Sequence, residues 1–113
     1  MDIETIARTC HEANRAYCRA LGDTSHIPWD ALSDDARRAV YVGVEKALAN
    51  PGLSGEQAHQ FWLEHKARAG WKYGATRDES EKLHPCMLPY HMLPVSERRK
   101  DVLFLSVVNA LRD

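Results

Sequence analysis

A histidine stands eleven residues ahead of a glycine at two places in the chain, His11 before Gly22 and His59 before Gly70. The likeness continues downstream. Trp29-Asp30-Ala31-Leu32-Ser33 followed by Arg37-Arg38 lines up with Tyr90-His91-Met92-Leu93-Pro94 followed by Arg98-Arg99. Each half therefore reads as helix, glycine stop, aromatic-containing loop and capped helix. The second half carries thirteen extra residues between its glycine and its aromatic. A helix pair of this size cannot bury its apolar face alone, so two pairs are expected to pack about a pseudo-twofold axis. Chance likeness between short helical segments is the competing reading. With 113 residues there is room for one core, so the chain is expected to be one domain, residues 1–50 and 54–112 forming its halves.

Periodicity supplies the helices. Ile3 to Leu21 puts Ile3, Ile6, Ala7, Cys10, Tyr17, Cys18 and Leu21 on one face, and Gly22-Asp23 ends it. Asn14 lies inside that stripe with Arg15 beside it. It either bonds a neighbouring backbone group or reaches into a polar pocket. Ser33, with Asp34 and Asp35 in the first turn, opens a second helix to about Ala49 that buries Ala36, Val40, Val44, Ala47 and Leu48. Gly43 inside it costs about 1 kcal/mol of propensity, and close approach of another backbone is the expected compensation. Ser54 with Gln57 makes a capping box for a third helix to Ala69. Pro94 and Ser96 suit the start of a fourth, whose Val102–Leu111 stretch is apolar on nearly every side and marks it as central. The fold expected is mainly α, with a long ordered loop and a minimal ribbon of Lys72-Tyr73 against Met87-Leu88.

Several function classes are disfavoured. A net charge of -1 argues against a nucleic-acid polymer or membrane surface bound through bulk charge. No apolar run reaches membrane-spanning length, and Met1-Asp2-Ile3-Glu4 has no signal-peptide character. Cys10, Cys18 and Cys86 are odd in number and lack C-x-x-C spacing, which reads as reduced thiols in a cytoplasmic protein. Zinc favours two close-spaced ligand pairs. Cys10-His11 are adjacent and His84-Pro85-Cys86 is interrupted by proline, so no metal is expected unless folding gathers Cys10, Cys18, His84 and Cys86. Cys86 beside His84 invites a nucleophile reading, but neither an oriented base nor an oxyanion site can be named. No enzyme, catalytic residue or cofactor is expected. His11 and His59 are expected to hydrogen-bond loop backbone.

The loop from Gly70 to Tyr90 is long for so small a domain, and loops of that length are commonly functional. Its residues form a specific pattern with those just before and after it. His59-x-x-Trp62-x-x-x-Lys66, Gly70-Trp71-x-Tyr73-Gly74, Arg77-Asp78, Lys82, His84-Pro85-Cys86-x-Leu88, Pro89-Tyr90 and Leu93-Pro94 resemble the ryanodine-receptor repeat domain. That module occurs in pairs in the calcium-release channel and alone in bacterial and phage proteins. The likeness covers roughly residues 54 to 112. His11 to Cys18 with Gly22-Asp23 resembles the N-terminal part of the short stand-alone phage form. Met87 and His91 depart from the channel pattern without touching its glycine and aromatic skeleton.

The resemblance implies a mainly helical fold with a small ribbon, and a cleft where the Gly-Trp aromatic stacks on a planar ring. In the receptor, paired repeats are associated with adenine nucleotides, which implies a nucleotide-like ligand here. The first half lacks a Gly-Trp-x-Tyr-Gly equivalent, so a homodimer or Trp29 would have to supply the missing wall. A purine-like ligand needs an aromatic platform, a ring-edge partner and cations for phosphate. Trp71 and Tyr73 suit the first and Asn14 the second; Arg15, Lys66 and Arg77 suit the third, and Tyr90 is expected among the ligand-binding residues as well. Lys72 and Lys82 are expected to be solvated. The competing readings are Trp71 as a core plug and Arg77-Asp78 as a turn ion pair. The expected function is capture of a nucleotide-derived signal by a small binding module. The alternative is an interaction or assembly module without a small ligand, using the central helix or the Trp29 loop.

Overall fold

Polar caps at the starts and glycines at the ends set most of the helix boundaries in the computed structural model, which describes residues 1–113. The Asp2 carboxylate accepts the Thr5 N–H at 2.7 Å and opens α1, Ile3–Ala20. Ser33 Oγ accepts the Ala36 N–H at 3.1 Å and opens α2, Asp34–Ala49. The predicted capping box is complete at α3, Gly55–Arg68: Gln57 N–H donates to Ser54 Oγ at 3.2 Å, and Ser54 N–H donates to Gln57 Oε1 at 2.9 Å. Helix α4, Val95–Leu111, follows Pro94 without a side-chain cap. Ser96 is inside the first turn, and its carbonyl accepts the Tyr17 hydroxyl at 3.3 Å. Gly22 and Gly70, just past α1 and α3, have φ of 93° and 94°, a conformation that glycine alone adopts cheaply. Leu21 lies beyond the last turn of α1 and is exposed rather than part of its buried face.

Apart from two short strands in the second half, the halves repeat helix for helix. Between α1 and α2 lies a short 3-10 turn, Trp29–Ala31, and before α4 lies its counterpart, Tyr90–Met92. In each, a proline carbonyl accepts the closing N–H at 2.9 Å, Pro28 from Ala31 and Pro89 from Met92. Helices α1 and α3 each pack on both α2 and α4, and α2 meets α4, a pattern unchanged when the halves are exchanged. Ile6, Ala7, Cys10, Trp29, Val44, Ala47, Leu105 and Val108 form the core. Burying these side chains stabilises the fold by roughly 1.5–3 kcal/mol for each large one. Helix α4 borders all three others, as its apolar composition anticipates. Gly43 is approached by the ring of Phe104, 3.4 Å from where a Cβ would sit, rather than by backbone.

The ribbon has a different partner from the one expected. Lys72–Tyr73 (β1) pairs in parallel with Leu83–His84 (β2), with Lys72 opposite Leu83. The cause is a tight turn. Asp78 and Leu83 exchange N–H···O bonds at 3.0 and 2.9 Å, while the Asp78 carboxylate accepts the N–H groups of Ser80 and Glu81. This returns Leu83-His84 to β1 and leaves Met87-Leu88 beyond it. Gly74 makes the approach possible, since a Cβ there would lie 2.6 Å from that of Leu83.

Candidate ligand-binding site

Helix α3 presents His59, Trp62 and Lys66 along one stripe, and the chain reversal at Gly70 brings Trp71 back over its last turn. Trp71 N–H donates to the Lys66 carbonyl at 3.0 Å, which fixes that reversal. The Lys66 ammonium consequently stands 4.8 Å from the centroid of the Trp71 ring, a cation–π contact. Trp71 is partly exposed. Lys82, in the left-handed region at φ 56°, donates its ammonium to the Ala69 carbonyl at 2.7 Å and satisfies the end of α3.

Behind Trp71 runs a row of rings. His84 meets Trp71 edge-on at 6.3 Å and Trp62 edge-on at 5.1 Å, His59 stacks on Trp62 at 5.4 Å, and Tyr90 leans on His59 at 6.0 Å. His59 is the one buried polar side chain, and its Nε2 donates to the Leu88 carbonyl at 2.7 Å. His11 makes the equivalent bond to Ile27 at 2.7 Å, so both matched histidines clasp loop backbone as expected. His84 Nδ1 accepts the Cys86 N–H at 3.0 Å, which leaves that nitrogen unprotonated. Burial pulls the His84 pKa down to about 4, helped by the charges of Arg77 and Lys66. Burial also lowers the Lys66 pKa, with Arg77 next in effect. The site is thus an indole bordered by a neutral imidazole and by cations that repel one another. That arrangement is relieved by an anion. Cys86 is pushed up to about 12 by burial and by Glu97, whose carboxylate accepts its thiol at 3.4 Å, so it offers no thiolate at neutral pH.

The model of the RyR domain matches residues 52–111 of this chain. The chain belongs to the RyR domain family.

Of the residues selected from sequence, this RyR domain brings Lys66 and Trp71 into contact, with Arg77 close enough to influence Lys66. Arg77 pairs with Glu79 at 2.6 Å rather than with Asp78, whose carboxylate is committed to its own turn. Tyr73 is 54% exposed on β1. Tyr90 stands at the opposite end of α3, its hydroxyl 2.8 Å from where a Cβ on Gly55 would sit. Asn14 and Arg15 are engaged on α1: Asn14 Oδ1 accepts the Cys18 thiol at 4.0 Å, and Arg15 donates to Glu12 at 3.1 Å and to the His26 carbonyl at 3.3 Å. Trp29 is 2% exposed in the core and cannot wall a pocket. Two shallow surface hollows lie elsewhere, at Asp2 to Arg8 and at Ala49 to Gln57. Sequence reasoning passed over His84 as the ring beside Trp71 and Trp62 as the ring beyond it. The Trp62-to-Lys66 spacing of one helical turn was the available signal for Trp62; His84 is placed only by the ribbon. No helix of the RyR domain is long and apolar enough to cross a membrane.

Proposed function

We propose that this RyR domain is a binding module for a nucleotide or nucleotide-derived signalling molecule, held at the Trp71 end of α3. The supporting observation is the Lys66 ammonium poised 4.8 Å over a partly exposed indole, with Arg77 within electrostatic reach. A base stacking on Trp71 displaces Lys66 from the ring face toward phosphate, exchanging a cation–π contact for a charge-assisted hydrogen bond. Tyr73, exposed on the adjacent strand, has freedom to close over the guest. In a phage setting such a module would sequester or sense a defence messenger, and a homodimer would provide a second wall.

Thermal shift with ATP, ADP-ribose and cyclic nucleotides tests the reading. A ligand at 100 times its dissociation constant adds about 2.7 kcal/mol of stability. Trp71→Ala is expected to abolish the shift while the helical spectrum persists. A second reading, an assembly module, draws on the outward Met92, Val95 and Val102 around α4. It gains if no nucleotide shifts the melting temperature and the mass in solution rises with concentration.

A further inference from the structure

The first half carries different chemistry at the corresponding place. Forty-eight residues before Trp62 and Lys66 stand Asn14 and Cys18, the offset that also relates His59 to His11 and Gly70 to Gly22. Past the end of α1 the loop returns Asp23 and His26 to Cys18. The Cys18 Sγ, an Asp23 carboxylate oxygen and a His26 ring nitrogen all lie within 4.8 Å of one another. Asp23 Oδ2 is 3.4 Å from His26 Nε2. We propose that Cys18, Asp23 and His26 form a binding site for a zinc-like divalent ion, with water in the fourth position.

The geometry and the donor set agree on this. Tetrahedral zinc, with Zn–N of about 2.0–2.1 Å and Zn–S of about 2.3 Å, separates its ligand atoms by roughly 3.3–3.8 Å. The Asp23–His26 separation already falls in that range, and the Cys18 sulfur stands within 4.8 Å of both, so an ion between them would draw it inward. Thiolate, imidazole and one carboxylate oxygen select zinc-class metals over magnesium and calcium. Each donor is also oriented by a neighbour. Ser25 N–H and Oγ–H donate to Asp23 Oδ1 at 2.9 and 2.6 Å, which turns Oδ2 toward His26. Asn14 holds the Cys18 thiol, and Arg15 holds the His26 backbone. The Asp23 N–H donates to the Cys18 carbonyl at 2.9 Å, fixing the loop's departure from the helix. Partners of this kind tune metal affinity. The Lys100 ammonium lies beside Cys18 and pairs with Glu97 at 3.0 Å, and its charge and that of Arg77 both reach His26, which an anionic Cys18 and Asp23 offset. Cys18 is buried while Asp23 opens to solvent, which gives the ion a way in. Binding releases the Cys18 thiol proton to solvent. Asn14 and Arg15 then act on a metal in the first half rather than on a nucleotide in the second, and neither site requires the other.

Cobalt(II) titrated into the reduced full chain reads the site directly. The expected result is one equivalent bound, with a thiolate-to-metal charge-transfer band that zinc displaces. His26→Ala, at a partly exposed position, is expected to weaken binding by about 100-fold, the upper end of losses from outer partners alone. Cys18→Ser should remove the band and Cys86→Ser should retain it. If Cys18→Ser does not fold, His26→Ala and Cys86→Ser still decide the matter. Absence of any band at saturating cobalt, affinity unchanged by His26→Ala, or a band lost in Cys86→Ser would each overturn the assignment.

Discussion

Helix α1 buries Ile6, Ala7, Cys10 and Cys18, whereas its counterpart α3 buries only His59. The same contrast holds at the 3-10 turns. Trp29 is enclosed, with Tyr41 edge-on at 5.8 Å and the Arg37 guanidinium 5.5 Å from its ring, while Tyr90 rests against the polar ring of His59. Arg37 Nε donates to the Trp29 carbonyl at 3.2 Å, but the Nε of its counterpart Arg98 is buried without a partner. Helix α4 also places Glu97, Lys100 and Asp101 where α2 has Ala36, Ala39 and Val40. One arrangement of helices therefore serves two ends. The first half supplies most of the apolar core, with Leu105 and Val108 of α4 completing it, and the second carries aromatic, cationic and carboxylate groups at equivalent positions under a longer loop.

Exchanging the aromatics tests this contrast most severely. Trp29→Ala is expected to destabilise by about 4 kcal/mol, in the range for deleting a buried tryptophan. Trp71→Ala should cost only about 1 kcal/mol, because its ring keeps a solvent-facing side. Urea unfolding of both variants measures the gap. Equal losses would mean that Trp71 is core and would end the candidate site. The two histidine clasps come next. His59→Ala leaves the Leu88 carbonyl without its donor in a buried setting and should cost about 2–3 kcal/mol, against about 1 kcal/mol for the more exposed His11→Ala. If the order reverses, the second half is not the one that depends on its clasp.

The smallest expected effect sharpens the comparison of α4 with α2. Burial, and then Glu97, raise the Asp101 pKa to about 7 from the usual carboxylate value. The folded state therefore holds a proton that the unfolded chain releases at lower pH. The associated stability is complete below about pH 4 and declines until about pH 7. Asp101→Asn should consequently match the parent near pH 4 and exceed its stability by roughly 1 kcal/mol above pH 7, solvent screening keeping the gain modest. Melting curves at the two pH values decide it.

The helices were legible because their signals are local. Ser33, the Ser54–Gln57 box, and Gly22 and Gly70 state their roles within four residues. The ribbon was half legible: Lys72-Tyr73 was found, but its partner depends on the Asp78 turn, whose closing bonds involve backbone that sequence pattern does not distinguish. Lys66 and Trp71 could be nominated separately, yet their contact arises across the reversal at Gly70, where helical periodicity no longer applies. Asn14 and Arg15 were nominated for a ligand, and in the fold they bond Cys18, Glu12 and the His26 backbone. Their partners, Cys18 and His26, become neighbours of one another only when the loop after α1 turns back.

The histidine clasps close segments of unequal length, from His11 to Ile27 and from His59 to Leu88. By polymer statistics the longer closure costs only about 0.5 kcal/mol more than the shorter. A further lengthening by the same increment would add about 0.3 kcal/mol. Loop length is therefore cheap in this half; what a peptide spliced at Glu79-Ser80-Glu81 would give up is the Asp78 carboxylate's bonds to Ser80 and Glu81 and the Arg77–Glu79 pair, so its cost would fall on the turn rather than on chain closure.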